Sequence, residues 1–334
     1  MRAVRMDRFG GPEVLNVIET PTPEPGPGQA RVRVRAAGVN FADTLMRQNR
    51  YAMTPPLPSV LGHEVTGVVE ALGPGVEDAF GDGIAVGTRV AVPMFAAGDW
   101  FGGYADCVLA DARFLVPIPD ALGFETATAL LVQGLTALHL TRQAPPRGKV
   151  ALVNAAAGGV GSLLVQLARR AGATQVIAAA GGASKIDFAR RLGADAGVDY
   201  TRAGWVDEVR AASGGAGPDI IYESAGGDVT MASLEALAPL GRMVIYGALN
   251  IQRFALGVPH LLGLIFRNQS VSGFALAPLL TPEGLRADLT VLFDLAARGE
   301  LTVTLGGVWP LAEAAEAHRA LESRRTTGKV VLVA

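Results

Sequence analysis

The chain has 334 residues, half of them hydrophobic and 18% charged, with a formal net charge of −2. That is the composition of a well-buried globular protein, long enough for two domains and without the basic excess that would make nucleic acid an expected partner. The single cysteine, Cys107, excludes an internal disulfide and an all-cysteine zinc site and agrees with a reducing cytoplasm.

In chain order, residues 1–8 hold no apolar run of the kind a signal peptide needs. From Gln29 to Ala37, Val32, Val34 and Ala36 alternate with Arg31, Arg33 and Arg35, the pattern of a half-buried strand. Further β-rich runs at 65–72, 89–93 and 104–109 are separated by clusters such as Pro21 to Gly28 and Gly81-Asp82-Gly83, which suggests a compact barrel. The style changes near Leu122. Residues 124–141 are alanine-rich and predicted helical. From Lys149 the chain alternates: strand 149–154, helix 160–171 closed by Gly172, strand 175–179, helix 185–192, strand 197–200 and helix 205–212. Segments 219–222, 229–237 and 243–246 continue the pattern, which implies a doubly wound parallel sheet.

The apolar stretch Phe254 to Phe266 is interrupted by Gly257, Pro259 and His260 and falls short of a membrane span of about 18 residues, so no membrane is expected as a partner. It suits a pocket wall, a subunit interface or buried core. A helix over 285–298 and strand-like runs at 302–304 and 330–333 suggest that the chain end returns to the first domain. The expected domains are 1–123 with 276–334, and 124–275.

The strand over Lys149–Asn154 leads straight into Ala155-Ala156-Ala157-Gly158-Gly159-Val160-Gly161 and then a helix. Small residues at such a turn let the backbone approach a pyrophosphate, and the helix start offers unpaired N–H groups and a positive dipole end. Against G-x-G-x-x-G the matching positions are Ala156, Gly158 and Gly161, so alanine replaces the first glycine. Enzymes that use NAD place a carboxylate at the end of the second strand for the ribose hydroxyl. Here that stretch, Ala178 to Lys185, has no acid, and Lys185 supplies positive charge. NADPH is therefore the expected cofactor.

Several segments together resemble the zinc-free quinone oxidoreductase (zeta-crystallin-like) group of the medium-chain dehydrogenase/reductase superfamily. They are Ala36 to Thr44, Gly62-His63-Glu64 with the strand that follows, Gln133 to Ala137, Ala156 to Gly161, Tyr222 to Gly226 and Gly328 to Leu332. The resemblance implies an α/β fold, with a Rossmann doubly wound parallel sheet inserted into a GroES-like β-barrel catalytic domain, and a homodimer or homotetramer. It also implies a cofactor channel. Thr136 would lie near the nicotinamide. Gly158, Gly159, Val160 and Gly161 would hold the pyrophosphate. Gly181, Lys185 and Tyr200 would surround the 2′-phosphate, and Ser224, Gly247, Phe274 and Lys329 would line the remainder. Residues 76–90 are longer than the family's usual turn, Thr88 stands for its usual aspartate, and Glu223 stands where aspartate is common.

The superfamily's zinc alcohol dehydrogenases carry a histidine ligand in a motif like Gly62-His63-Glu64. Catalytic zinc needs three protein ligands. The positions resembling the other two hold Asn40 and a residue near Val132, so no metal is expected, and His63 becomes a hydrogen-bonded residue at the cleft wall. His139, His260 and His318 have no metal spacing. Without a Lewis acid, an already electrophilic acceptor makes chemical sense: a quinone, or an alkene conjugated to a carbonyl, such as an enone, enoyl thioester or haloacrylate. Asn40 and Tyr51 are the candidate donors to the developing oxyanion, with Asp43 orienting Asn40. A low-turnover NADPH-binding protein with a structural role is the contrasting reading.

Overall fold

The computed structural model describes residues 1–76, 84–247 and 254–334. Part of the long 76–90 turn therefore lies outside the described residues. Contacts divide the chain into two units, Met1–Leu135 with Ala277–Ala334, and Thr136–Leu276. The second boundary lies one residue after the sequence-based one, and the first lies twelve residues after it (135 against 123).

The first unit opens with strands β1 (Arg2–Met6), β2 (Asn16–Glu19) and β3 (Gln29–Val39), helix α1 (Phe41–Arg47), and strands β4 (Ser59–Val60), β5 (Val65–Leu72), β6 (Arg89–Val92), β7 (Cys107–Asp111) and β8 (Val116–Pro117). The predicted alternation holds on β3, where Val32, Val34 and Ala36 are buried and Arg33 and Arg35 are exposed. One edge of β3 pairs with β5 through two register shifts, and the first half of its other edge pairs with β7. Tyr104 and Ala105, predicted to begin a strand that continues to 109, serve β1 instead: the Val4 N–H donates to the Tyr104 carbonyl at 2.8 Å.

The single helix predicted over 124–141 is two, α2 (Phe124–Thr128) and α3 (Val132–Gln143). The Thr128 hydroxyl turns back to the Phe124 carbonyl and to Thr66 on β5, which ties α2 to the first unit and accounts for the later boundary. A buried carboxylate, Glu64, accepts the Val132 N–H at 2.8 Å, so a new helix starts where an anion meets its positive end.

The second unit alternates β9 (Val150–Asn154), α4 (Gly159–Arg170), β10 (Gln175–Ala180), α5 (Ala183–Arg191), β11 (Ala196–Asp199), α6 (Trp205–Ala212), β12 (Ile220–Glu223), α7 (Asp228–Ala236), β13 (Arg242–Ile245), α8 (Val258–Arg267) and β14 (Ser270–Gly273). The strands form one parallel sheet in the order β11-β10-β9-β12-β13-β14. The order reverses between β9 and β12, the place where such sheets open a ligand crevice beyond their C-terminal ends. Leu152, Ile177, Ile221 and Met243 fill the core against Trp205, Val209 and Leu234 from the helices.

Helix α8 corrects the buried-core alternative for residues 254–266. None of its residues is buried, and Val258 and Phe266 are 69% and 80% exposed. Among the described residues, no helix is long and apolar enough to cross a membrane.

The tail returns to the first unit as α9 (Pro282–Ala297), β15 (Leu305–Pro310), α10 (Ala314–Glu322) and β16 (Lys329–Val333). Residues 302–304 are not a strand. The pairing with β16 begins at Leu305 and shifts register by Gly307, so Val308 and Trp309 meet Val331 and Leu332. β16 then takes the second half of the β3 edge, antiparallel, with Val330 opposite Val39 and Val333 opposite Ala36. The residue before this register, Lys329, is thereby brought to the residue after it, Asn40.

The turn from β9 into α4 depends on Gly161. A Cβ there would lie 2.3 Å from the Ala155 carbonyl oxygen and 2.7 Å from the Ala156 Cα, both backbone atoms that cannot swing aside. Gly161→Ala is expected to lower stability by about 1–3 kcal/mol, the usual range for overpacking, read as a lower urea midpoint at unchanged m-value. An unchanged midpoint would show that the turn is not close-packed.

Candidate active site

The polar centre of the first unit is built where β3 ends. Asn40 precedes α1, and the Asp43 carboxylate accepts the Asn40 backbone N–H at 2.8 Å, one half of a capping box. The Asn40 side chain is turned inward and only 6% exposed. Its Nδ2 donates to Glu64 Oε1 at 2.7 Å and lies 3.3 Å from His63 Nε2. Its Oδ1 accepts from Gln133 Nε2 at 2.6 Å and from Lys329 Nζ at 2.8 Å. All four bonding positions of the amide are thus taken, and no hydrogen remains for a substrate oxygen.

Lys329 Nζ also pairs with Glu64 Oε1, and both side chains are buried. The glutamate reaches them by passing over Gly38, where a Cβ would meet its carboxyl at 2.3 Å. Only a residue without a side chain fits there.

On the far side of Asp43 lies a second buried chain. Arg47, fully buried, donates to the Gly10 carbonyl, to His318 Nδ1 at 3.1 Å and to Glu322 Oε1 at 2.6 Å. His318 Nε2 lies 3.1 Å from the Tyr104 hydroxyl, which donates to Asp43 Oδ2 at 2.9 Å. His63 Nδ1 faces Asp43 Oδ1 at 3.3 Å, within ion-pair reach but bent away from a well-formed hydrogen bond. Burial pushes the Asp43 carboxyl up, but His63 and the Asn40 N–H, both presenting hydrogens to it, hold it below the ordinary carboxylate range. Burial, reinforced by the Asp43 charge, raises the Tyr104 phenol well above its usual value, so it stays a donor.

Tyr51 lies in the loop after α1 and is 39% exposed. Burial of its ring and the Asp43 charge raise its phenol too. Trp100 and Phe95 pack around the His63 ring, at 5.6 and 6.0 Å between centroids, which gives this end of the unit an aromatic wall.

In the second unit the predicted phosphate turn begins with Ala155 at φ 51°, a left-handed conformation that costs a non-glycine residue about 1–3 kcal/mol. Gly158 is the N-cap of α4 and supplies no side-chain cap, so the first-turn N–H groups of Gly159, Val160 and Gly161 have no such partner. Gly181 lies under Tyr200: a Cβ on it would be 3.7 Å from the tyrosine ring. Lys185 is half-buried in the first turn of α5. Sequence reasoning missed Asp199, which the pairing of β10 with β11 brings to this same corner. Its carboxylate accepts from the Thr201 hydroxyl and backbone N–H and from the Gly182 N–H, and the threonine bonds hold it below its ordinary value.

Ser224, Gly247 and Phe274 follow β12, β13 and β14. Gly247 packs on Ser224, 3.1 Å from a Cβ position to the serine Cβ, and the Phe274 N–H donates to Ile245 at 2.9 Å. Thr136 is buried on α3. Beneath the two central loops, Asn154 at the end of β9 donates to Glu223 at the end of β12 and to Ser233. Glu223 also accepts from the Gly226 N–H and the Thr230 hydroxyl.

The model of an alcohol dehydrogenase GroES-like domain matches residues 26–120, and that of a zinc-binding dehydrogenase matches residues 159–293. A quinone oxidoreductase of Pseudomonas aeruginosa is 38% identical over 99% of each chain. This chain belongs to the quinone oxidoreductase family. Escherichia coli quinone oxidoreductase, solved in complex with NADPH, matches with a TM-score of 0.91 at 31% identity and full coverage of both chains. A 2-haloacrylate reductase of a Burkholderia species is 34% identical over 89% of this chain and 88% of its own. The fold is that of the family: a GroES-like domain and a Rossmann domain, read from the chain in the predicted order.

In this quinone oxidoreductase-family chain, sequence reasoning singled out Asn40, Asp43, His63 and Lys329 without joining them. It missed Glu64 as the partner of Lys329 and gave Arg47 no role, while Tyr104 was read only as the start of a strand and His318 only as a structural histidine. A glutamate at the head of an apolar strand was the available signal for the first. His318 carries a measurable consequence. Burial, with Arg47 adding to it against the pull of Asp43, depresses its pKa from 6.5 to about 4. Above pH 6.5 the ring is neutral in folded and unfolded chains alike. Between about 6.5 and 4 the unfolded chain binds a proton that the folded chain refuses, so stability falls as pH falls through that window. The full effect is on the order of 3 kcal/mol. Urea midpoints at pH 7.5 and 4.5 are expected to differ more for the parent chain than for His318→Gln, whose amide can accept from Arg47 and donate to Tyr104. Equal pH slopes in the two proteins would remove His318 as the source.

Proposed function

We propose that this chain is an NADPH-dependent, metal-free oxidoreductase that transfers hydride to a quinone. The observation that carries the reading is the pair of donor sets in the two units. In the second, the uncapped first turn of α4, the glycine at 181 under Tyr200 and the lysine at 185 in the first turn of α5 suit a dinucleotide with a 2′-phosphate. In the first, the groups standing where zinc relatives keep ligands are turned to each other: His63 Nε2 faces the Asn40 amide, and Glu64 is bound by Lys329 and by the Val132 N–H. Asn40 and Val132 are not zinc ligands in any case, so this donor set does not fit a catalytic zinc.

Gly158, Gly159, Val160 and Gly161 would hold the pyrophosphate, and Gly181, Lys185 and Tyr200 the 2′-phosphate. Thr136 would lie at the nicotinamide, with Ser224, Gly247, Phe274 and Lys329 along the rest. NADPH supplies a hydride when bound. Tyr51 would donate to the oxygen on which charge collects: it is partly exposed, and its hydroxyl has no protein partner among the described residues. Asn40 and Asp43 would keep the site in register from within.

The match to a 2-haloacrylate reductase supports a second reading, reduction of an activated alkene. Loss of NADPH absorbance against a panel of quinones and enones separates the two, and no consumption with any acceptor would favour a low-turnover NADPH-binding protein. Tyr51→Phe is expected to lower kcat about ten- to a hundredfold with NADPH affinity unchanged. Unchanged turnover would remove it as the donor. NADPH is expected to bind at least about tenfold tighter than NADH, about 1.4 kcal/mol. Asp199 makes this a real test, because its carboxylate lies at the same corner. Equal affinities would overturn the preference.

The chain is cytoplasmic in this reading, and a homodimer or homotetramer. Among the described residues, β14 pairs only with β13, leaving an open sheet edge, and Val258, Leu261, Ile265 and Phe266 of the adjoining α8 are exposed. A second copy related by a two-fold axis would cover both. Leu261→Asp with Ile265→Asp is expected to give a monomer by analytical ultracentrifugation while retaining NADPH binding. A parent chain that is monomeric, or a variant whose mass matches an oligomeric parent, would refute this interface.

A further inference from the structure

We propose that Lys329 and Glu64 are positioning residues that act through the Asn40 amide to fix His63 as its neutral Nδ1–H tautomer, with Nε2 held as an acceptor. Lysine has only hydrogens to give and a carboxylate only lone pairs to offer. With Lys329 Nζ 2.8 Å from Oδ1 of Asn40 and Glu64 Oε1 2.7 Å from its Nδ2, the orientation of the amide is dictated by charge. Turning it over would set its hydrogens against an ammonium and its carbonyl against a carboxylate. Gln133 is an amide that can present either end, so it follows this choice and gives its Nε2 hydrogen to Oδ1 at 2.6 Å.

The orientation propagates. Asn40 Nδ2 is a donor 3.3 Å from His63 Nε2, so that ring nitrogen must accept. The remaining ring hydrogen is on Nδ1, which faces Asp43 Oδ1 at 3.3 Å, and neither buried atom has another partner among the described residues. The chain on the other side has the same logic. Arg47 has only hydrogens to give, so His318 Nδ1 accepts and its hydrogen sits on Nε2, directed to the Tyr104 oxygen, whose own hydrogen goes to Asp43. Two chains of donors, one starting at Lys329 and one at Arg47, converge on one buried carboxylate. The two histidines of the network therefore carry opposite tautomers: Nδ1–H on His63 and Nε2–H on His318. His63 has no hydrogen on the Nε2 side to hand to a substrate, and its part is to hold the Asn40 amide and the Asp43 carboxylate apart at a set distance.

This inference rests on the charges and distances of the first unit alone, so it stands or fails independently of the cofactor and substrate. The test is nitrogen NMR of the imidazole rings in the full chain at neutral pH. The four histidines are assigned by single His→Gln variants. His63 is expected to show a protonated Nδ1 and an unprotonated Nε2, and His318 the reverse. A parent chain in which His63 is protonated at Nε2 overturns the proposal. Lys329→Met combined with Glu64→Gln removes both charges and frees the amide to turn, so the His63 Nε2 signal is expected to move toward the protonated range, while Lys329→Arg keeps the parent pattern. An unchanged tautomer in the double variant would show that the ion pair contributes packing only. If that variant does not fold, Asn40→Asp puts an oxygen against Nε2 and is expected to protonate it. A persisting Nε2 acceptor there would equally sink the idea.

Discussion

A glutamate and a lysine buried together, away from water, constrain much of the first unit. Each charge costs several kcal/mol to desolvate, and stripping one partner from such a pair costs about 3–5 kcal/mol. Both must therefore be fully satisfied. Glu64 is met by Lys329, by the Asn40 amide and by the first N–H of α3. Each of those contacts fixes an element. The lysine arrives only if the last strand pairs with β3 in one register, because a one-residue slip would turn it to the opposite face. The carboxyl fits only because residue 38 is glycine. The break between α2 and α3 falls where the carboxylate takes a helix start. Chain closure, helix entry and the site amide thus answer to one ion pair.

The second unit uses a related device with no cation among the described residues. Glu223 is buried at the end of a parallel strand and is met by an amide, a hydroxyl and a backbone N–H. That network ties the loop after β12 to the end of β9, directly under the turn where Ala155 adopts its left-handed conformation. A strained residue persists only where its surroundings over-determine it. Here Gly161 packs against its carbonyl on one side and the Asn154–Glu223 bond holds the strand end on the other. The alanine that replaces the motif's first glycine is accommodated in this way.

The elements were legible because their signals are local. Period-two alternation marked β3, and the repeat of apolar run, glycine and helix marked the whole parallel sheet. The failures are also physical. The break in 124–141 was invisible because Glu64, sixty-eight residues before Val132, causes it. The strand expected at 302–304 slid to Leu305–Pro310 because its partner sets the register. Arg47 stands in a polar run and reads as solvated, yet it is fully buried, since its partners come from residues 10, 318 and 322. Resemblance named candidate residues for the site; only packing shows which of their hydrogens are already spent.

That distinction bears on the chemistry. A donor can stabilise a developing oxyanion only if its hydrogen is not already committed. Asn40 was an attractive donor by position, but both of its hydrogens are held by Glu64 and His63. His63 has its basic nitrogen closed by the same amide. What the first unit keeps available near Asp43 is a neutral phenol, raised by burial and by the adjacent charge, and therefore a weak acid. A weak donor gives little help to an alkoxide, whose charge sits on one oxygen. It suffices for an acceptor that spreads the charge through a conjugated ring or enolate, where the intrinsic barrier to hydride addition is already low. The commitment of its strong polar groups to the fold is thus a physical reason for a member of the quinone oxidoreductase family to act on quinones rather than on simple alcohols.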